Sequence, residues 1–192
     1  MFECVKGAEQ VGVREERMSE GLIHLYLGDG KGKTTAAVGL AIRAAGRKRK
    51  VVFAQFLKGR KTGEVAPLKG LGVRVIRSEK NRGFYCYMKE EERVDFRAEQ
   101  LRLFEEIREA VFGADPVDLL VLDEAVDVLD MNMIDDAVLQ SFIMQKPEAL
   151  EVVLTGRAAP DWLMERADYI TEMKKVKHPF DKGVAARESI EY

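Results

Sequence analysis

Cysteine and histidine are scarce in this 192-residue chain: each occurs twice, as Cys4 and Cys86 and as His24 and His178. The two cysteines lie far apart without metal-ligand spacing, which argues against a disulfide framework or a cysteine-built metal site; a reduced, cytoplasmic protein is expected. No apolar run approaches the roughly 20 residues of a membrane span, and residues 1–20 are too polar to read as a secretory signal. Neither sign of charge dominates. Thirty-one Lys+Arg against 33 Asp+Glu give a net charge of -2, the wrong balance for a chain whose task is to coat nucleic acid or an anionic membrane. Internal repeats, low-complexity tracts and Pro/Ser-rich linkers are also missing. The composition, 46% hydrophobic and 33% charged, is too apolar for disorder. A chain of this length hides about 70% of its unfolded surface without any staple. We expect a tail or lid segment over residues 1–20 and one domain over residues 21–192. Strong patterning begins only at Gly21, which makes Met18 an alternative start.

From Leu22 short apolar runs alternate with longer helical patterns. The runs are Leu22–Leu27, Val51–Phe56, Val73–Ile76, Leu119–Leu122 and Val152–Leu154, with a weaker one at Tyr169–Met173. Nearly continuous apolar runs this short suit strands buried on both faces. Helices are expected at Thr34–Ala45, Glu91–Phe112, Asp135–Met144 and Pro160–Ala167. In the long one, Val94, Ala98, Leu101, Phe104, Ile107 and Val111 fall on one stripe, and its many charges read as a solvated face. Such alternation predicts an α/β fold, a mostly parallel sheet with helices on both faces.

The sharpest motif is Gly28-Asp29-Gly30-Lys31-Gly32-Lys33-Thr34-Thr35, directly after the first strand and before a helix. Glycines let successive backbone N–H groups turn toward one point, and the helix start offers free N–H groups and a positive dipole end to an anion. Lys33 can reach a phosphate oxygen, and the Thr34 hydroxyl can ligate a phosphate-bound Mg²⁺. A functionless glycine turn does not account for Gly-Lys-Thr-Thr in that setting. The usual motif has four residues between its glycines; here Gly28 and Gly32 enclose three, and Leu27 stands at the usual first-glycine place. A tighter cradle frees the phosphates from their ordinary order along the loop.

The second motif, Asp118-Leu-Leu-Val-Leu-Asp123-Glu124, ends a buried-strand pattern in two carboxylates. At the carboxyl end of a strand neighbouring the loop, such a pair faces the metal, and Mg²⁺ or Mn²⁺ favours oxygen ligands. Glu124 is the preferred direct ligand, with Asp123 acting through water or as a helix cap. No guanine-reading Asn-Lys-x-Asp stretch is present, so an adenine nucleotide is favoured. No Ser/His/Asp set is visible either. His24 lies in an apolar strand and reads as a sheet-face residue, while His178, in Lys177-His178-Pro179-Phe180-Asp181, is either functional or hydrogen-bonded within a loop.

These residues together resemble the P-loop type ATP:corrinoid adenosyltransferases, also called cob(I)alamin adenosyltransferases, over Leu22–Tyr192. The resemblance rests on the shortened loop Gly28–Thr35, Arg43, Gln55-Phe56-Leu57-Lys58-Gly59, Gly83-Phe84, Leu122-Asp123-Glu124 and Leu154-Thr155-Gly156-Arg157. It continues through Lys177-His178-Pro179-Phe180 and Gly183 to Ile190-Glu191-Tyr192. It implies transfer of the 5′-deoxyadenosyl group of ATP to Co(I) of a corrinoid, with triphosphate leaving intact and ATP reversed along the loop. It further implies Mg²⁺, a homodimer whose N-terminal segment covers the corrinoid, and a flavoprotein reductant. Neither a nucleic acid nor a membrane partner is expected. By the same resemblance Gly28, Asp29, Gly30, Lys31, Gly32, Lys33, Thr34 and Thr35 cradle the triphosphate, Arg43 contacts the nucleoside, and Arg157 touches phosphate or corrinoid. Phe84 lies against the lower corrinoid face and makes cobalt four-coordinate before reduction.

Two residues depart from the family pattern. Relatives carry G-F-x-W where this chain has Gly83-Phe84-Tyr85-Cys86, so Cys86 holds the tryptophan position and Tyr85 or Tyr87 is a candidate substitute. Ser189 stands where relatives often have glycine, a change expected to affect only local backbone freedom. The competing functions are an ordinary P-loop kinase or ATPase and a nucleotide-gated binding module. Phe84→Ala is expected to impair transfer when cobalt is supplied as Co(II) with a reductant and much less with preformed Co(I). Equal losses in the two assays would remove Phe84 from the lower face.

Overall fold

The computed structural model describes residues 20–83 and 85–192; the proposed lid segment up to residue 19, and Phe84, lie outside the described residues. Six strands form one all-parallel sheet: β1 (Ile23–Leu27), β2 (Val51–Gln55), β3 (Arg74–Arg77), β4 (Leu119–Asp123), β5 (Glu151–Thr155) and β6 (Tyr169–Glu172). Their order across the sheet is β3-β2-β4-β5-β1-β6. Every strand expected from the apolar runs is present. The four expected helices appear as α1 (Lys33–Gly46), α3 (Glu90–Phe112), α5 (Asp136–Met144) and α6 (Asp161–Arg166). Two more, α2 (Val65–Gly70) and α4 (Ala125–Asp130), have six residues each, less than two turns, too few to show a helical period.

Alternation along the strands splits the core in two. Val51, Phe53, Leu119, Val121 and Val153 face α1, where Ala37 and Ala41 allow close approach. Val52, Ala54, Leu120, Leu122, Val152 and Leu154 face the layer of Phe96, Phe104, Ile107, Val126 and Phe142. Central strands covered on both sides are buried at every position, as β2 and β4 are, and both are apolar up to a polar last residue, Gln55 and Asp123. The exposed edge strand β6 mixes Tyr169 and Ile170 with Thr171 and Glu172.

The stripe on α3 differs from the expected one. Val94 and Leu101 are exposed, and the buried face runs through Phe96, Glu99, Gln100, Leu103, Phe104, Ile107, Ala110 and Val111. The C-terminal half follows the apolar spacing. Toward its start the helix instead turns two polar side chains inward, because Glu99 receives hydrogen bonds from Ser78 and Arg82 and Gln100 receives one from Leu57. Burial of these groups is tolerable because such bonds replace water. The solvated-face reading of the α3 charges therefore fails at Glu99.

His24 lies on the sheet as expected. Its Nε2 is 2.5 Å from Glu151 Oε1, and its ring stacks on Tyr169 at 4.5 Å. Glu151 Oε2 also accepts from Leu22 N at 2.7 Å. Burial raises the Glu151 carboxyl, but these bonds outweigh it and hold the group below its ordinary value of 4.5. A depressed carboxyl stabilises the fold above its ordinary value, and that contribution is lost as pH falls through the folded-state value. Urea unfolding at neutral pH and below about pH 4 should show a larger acid loss for the unaltered chain than for Glu151→Gln. Parallel losses would contradict this assignment.

Candidate functional site

Strand register delivers the chemistry to one edge. Gln55 lies opposite Asp123 in β2–β4, Tyr26 opposite Thr155 in β1–β5, and Leu27 opposite Glu172 in β1–β6. The carboxyl ends of five strands therefore line up, and the loop from Gly28 turns over them into α1. No acidic residue occupies the first turn of α1, so its positive end is left for an anion.

The loop is fixed by backbone on both sides. Gly28 N donates to Arg157 O at 3.0 Å and Gly30 N to Met173 O at 2.6 Å. A Cβ at Gly28 or Gly30 would come within 2.5 Å of Met173 O, so glycine is required here for close approach to the segment after β6. Asp29 Oδ1 accepts from Lys175 N at 2.8 Å. Lys33 Nζ donates to Gly28 O at 2.6 Å and Gly30 O at 2.9 Å, curling over the cradle. Burial lowers the Lys33 pKa, Asp127 opposes the shift, and Arg157 adds to it. Lys31 and Thr35 are exposed beside the loop.

Asp123 is fully buried. Its Oδ1 accepts from Thr34 Oγ1 at 2.9 Å and Thr155 Oγ1 at 2.8 Å; its Oδ2 accepts from Lys58 Nζ at 2.6 Å and Gln55 Nε2 at 3.4 Å. Two expectations are corrected by this arrangement. The carboxylate strand does not adjoin β1, because β5 lies between β4 and β1, and Thr155 at the end of β5 fills the gap. Asp123 is also no helix cap: the N-cap position of α4 belongs to Glu124, in left-handed backbone with φ 63°, and no side chain caps that helix. Glu124 N donates to Thr155 Oγ1 at 2.9 Å.

Lys58 is the residue that the sequence reading left without a role. Its Nζ contacts Asp123, Thr34 Oγ1 at 3.1 Å and Glu124 Oε1 at 3.4 Å. Burial opposes its charge, but Asp123 and Glu124 hold its pKa above the ordinary value. Burial pushes the Glu124 carboxyl up to about 7 against the pull of Lys58, with Asp123 and Asp127 adding to the rise. The available signal was a polar residue ending an apolar strand, Gln55 after Val-Val-Phe-Ala and Thr155 after Val-Val-Leu.

Among the described residues, no group of three or more His, Cys, Asp or Glu is placed to hold a metal ion by itself. Thr34 Oγ1 and the Asp123 and Glu124 carboxylates nonetheless form an all-oxygen set that already attracts one cation, Lys58. This set fits Mg²⁺, which uses one or two protein carboxylates and completes its shell with water and phosphate.

The remaining expected residues divide. Arg157 joins the loop, accepting from Gly28 and donating its N–H to Asp127 Oδ1 at 3.0 Å. Arg43 does not. It lies in the last turn of α1, about 15 Å along the helix from Lys33, and lines a cleft with Asp118, Leu119 and Glu151 at the opposite edge of the sheet. His178 Nδ1 accepts from Phe180 N at 3.2 Å, a hydrogen bond within its own loop. Cys86 and Tyr87 are exposed, while Tyr85 packs on Phe96 under the Arg93 guanidinium. Ser189 has φ 68°, so the glycine-favouring position keeps its left-handed backbone with a side chain in place.

A glycine loop between strand and helix, facing a buried Asp123 and a half-buried Glu124 at the carboxyl edge of an all-parallel sheet, defines an α/β protein of the P-loop NTPase-like class. The chain belongs to the ATP:corrinoid adenosyltransferase family BtuR/CobO/CobP, whose model matches residues 19–192. A corrinoid adenosyltransferase of Pseudomonas aeruginosa is 34% identical over 94% of this chain and 88% of its own length. Corrinoid adenosyltransferase CobA of Salmonella typhimurium is 32% identical over 98% and 94%. One from a Sinorhizobium species is 33% identical over 98% and 91%. Among the described residues no helix is long and apolar enough to cross a membrane.

Asp123→Asn keeps the shape of the hub and removes the charge that Lys58 faces. We expect a loss of about 2–4 kcal/mol in urea unfolding, together with weaker ATP binding. Unchanged stability would show that the hub is not structural.

Proposed function

We propose that this chain transfers the 5′-deoxyadenosyl group of ATP to the Co(I) centre of a corrinoid substrate. The family match along residues 19–192 carries the reading, and the site supports it. Cobalt attacks C5′, the C5′–oxygen bond to the α-phosphate breaks, and its electron pair leaves with the triphosphate while Co(I) becomes Co(III). Co(I) is already a strong nucleophile, so the protein's work is to orient C5′ and to stabilise charge on the leaving group.

Lys33, Thr34 and the loop amides suit that task, and Lys58 adds a fixed cation beside Thr34. Mg²⁺, held by Thr34 and Glu124 with Asp123 behind them, would supply further positive charge to the triphosphate. Asp123 itself has its oxygens engaged by four donors, which supports an indirect role. The bond from Gly28 N to Arg157 O supports a contact of Arg157 with phosphate or corrinoid, and Lys31 would add charge at the loop's exposed side. A contact from Arg43 requires the nucleoside to run back along α1. Phe84 is assigned to the lower corrinoid face. We further assign a homodimer, a flavoprotein reductant and a cytoplasmic setting.

One observation favours a second reading. A carboxyl raised to about 7 has the property of a general base, so an ATPase could use Glu124 to activate water. Products separate the two. With ATP, Mg²⁺ and chemically reduced corrinoid, triphosphate should appear in step with the absorbance change of an adenosyl–cobalt bond; ADP and phosphate would favour the ATPase. Lys33→Ala should lower transfer by about 10²-fold or more, and unchanged turnover would take the loop out of the mechanism.

A further inference from the structure

Lys58 reaches the carboxylates only because the chain reverses after β2. Phe56 N donates to Asp123 O at 3.0 Å, continuing the strand. The next residue, Leu57, has φ 57°, a left-handed conformation that is unfavourable for a branched side chain. Surrounding contacts must hold it. Leu57 N donates to Gln100 Oε1 at 3.0 Å, and Gln100 is completely buried on α3. Beyond Lys58, a Cβ at Gly59 would lie 1.7 Å from Lys80 O, so the segment is wedged against the chain after β3. That second segment is held by the adjacent helix residue: Glu99 accepts from Ser78 Oγ and from Arg82 Nε at 2.9 Å.

Gln100 Nε2 is buried, and among the described residues it has no hydrogen-bond partner. A buried amide with an idle donor is costly, and hydrophobic packing alone would be served better by leucine or methionine. What remains useful is the oxygen. We propose that Gln100 is a positioning residue: its Oε1 holds the Leu57 reversal that aims the Lys58 ammonium at Thr34, Asp123 and Glu124. Gln100 touches neither nucleotide nor reacting atoms and acts through Lys58.

The inference rests on the reading that Lys58 serves the triphosphate, and a double-mutant cycle on ATP affinity separates the two claims. Affinity is measured by calorimetry on the full chain with ATP and Mg²⁺, beside thermal melts that report the folded fraction. Lys58→Ala should raise the ATP Kd about tenfold or more; no change would sink the role of Lys58 itself. Gln100→Met should raise it about fivefold in the unaltered chain and less than about twofold in the Lys58→Ala background. Equal losses in both backgrounds, or none in the first, would overturn the inference while leaving Lys58 in place. Gln100→Glu keeps an acceptor for Leu57 and exchanges the idle amide for a carboxyl, which burial at this fully covered position favours in its neutral form. It should bind ATP within about threefold of the unaltered chain, and a loss matching that of Gln100→Met would equally overturn the proposal.

Discussion

The buried carboxylate of Asp123 ties together elements that are otherwise separated by the sheet. A carboxylate has about four lone-pair sites, and this one receives donors from α1, β2, β5 and the segment after β2. Isolated in the interior, such a charge would cost several kcal/mol; surrounded by four donors, it becomes the point at which they must meet. Thr34 is thereby fixed at the start of α1, Thr155 closes the gap left by the intervening strand, and Lys58 is drawn inward. The loop's place over the sheet edge depends on this point as much as on its glycines.

That arrangement concentrates positive charge where a leaving group needs it. Lys33 curls over the cradle from one side and Lys58 stands across Thr34 on the other. The loop Gly28–Thr35 itself contains no histidine or serine. A reaction whose nucleophile arrives already activated calls for little more than orientation and preorganised electrostatics. The raised Glu124 carboxyl follows from its burial beside Asp123 and Asp127, the setting in which a bound divalent cation would favour the charged form.

Much of this was readable from residue order. Parallel strands covered on both faces are nearly continuous apolar runs, so β2 and β4 announce themselves up to their polar last residues, and a glycine loop between strand and helix marks phosphate chemistry without any three-dimensional information. Strand order was less legible, since residue patterns do not reveal that β5 is inserted between β1 and β4. The inward turn of Glu99 and Gln100 was hidden because hydropathy scores a buried hydrogen-bonded side chain as solvent-facing. Arg43 illustrates a different limit: a motif match associates it with the nucleoside, and only the fold shows that ten residues of helix separate it from Lys33. Lys58 was visible in the Gln55–Gly59 motif, but only folding showed which anions it faces.

The central claim is that the short cradle grips the triphosphate so that carbon, not phosphorus, is the open electrophile. The most direct test is an experimental structure of the chain with ATP and Mg²⁺. The account predicts the triphosphate folded against Lys33, Thr34 and the Lys58 side, with the ribose C5′ at the accessible mouth. A nucleotide lying in the conventional sense, its γ-phosphorus exposed to an acceptor and C5′ shielded, would contradict it.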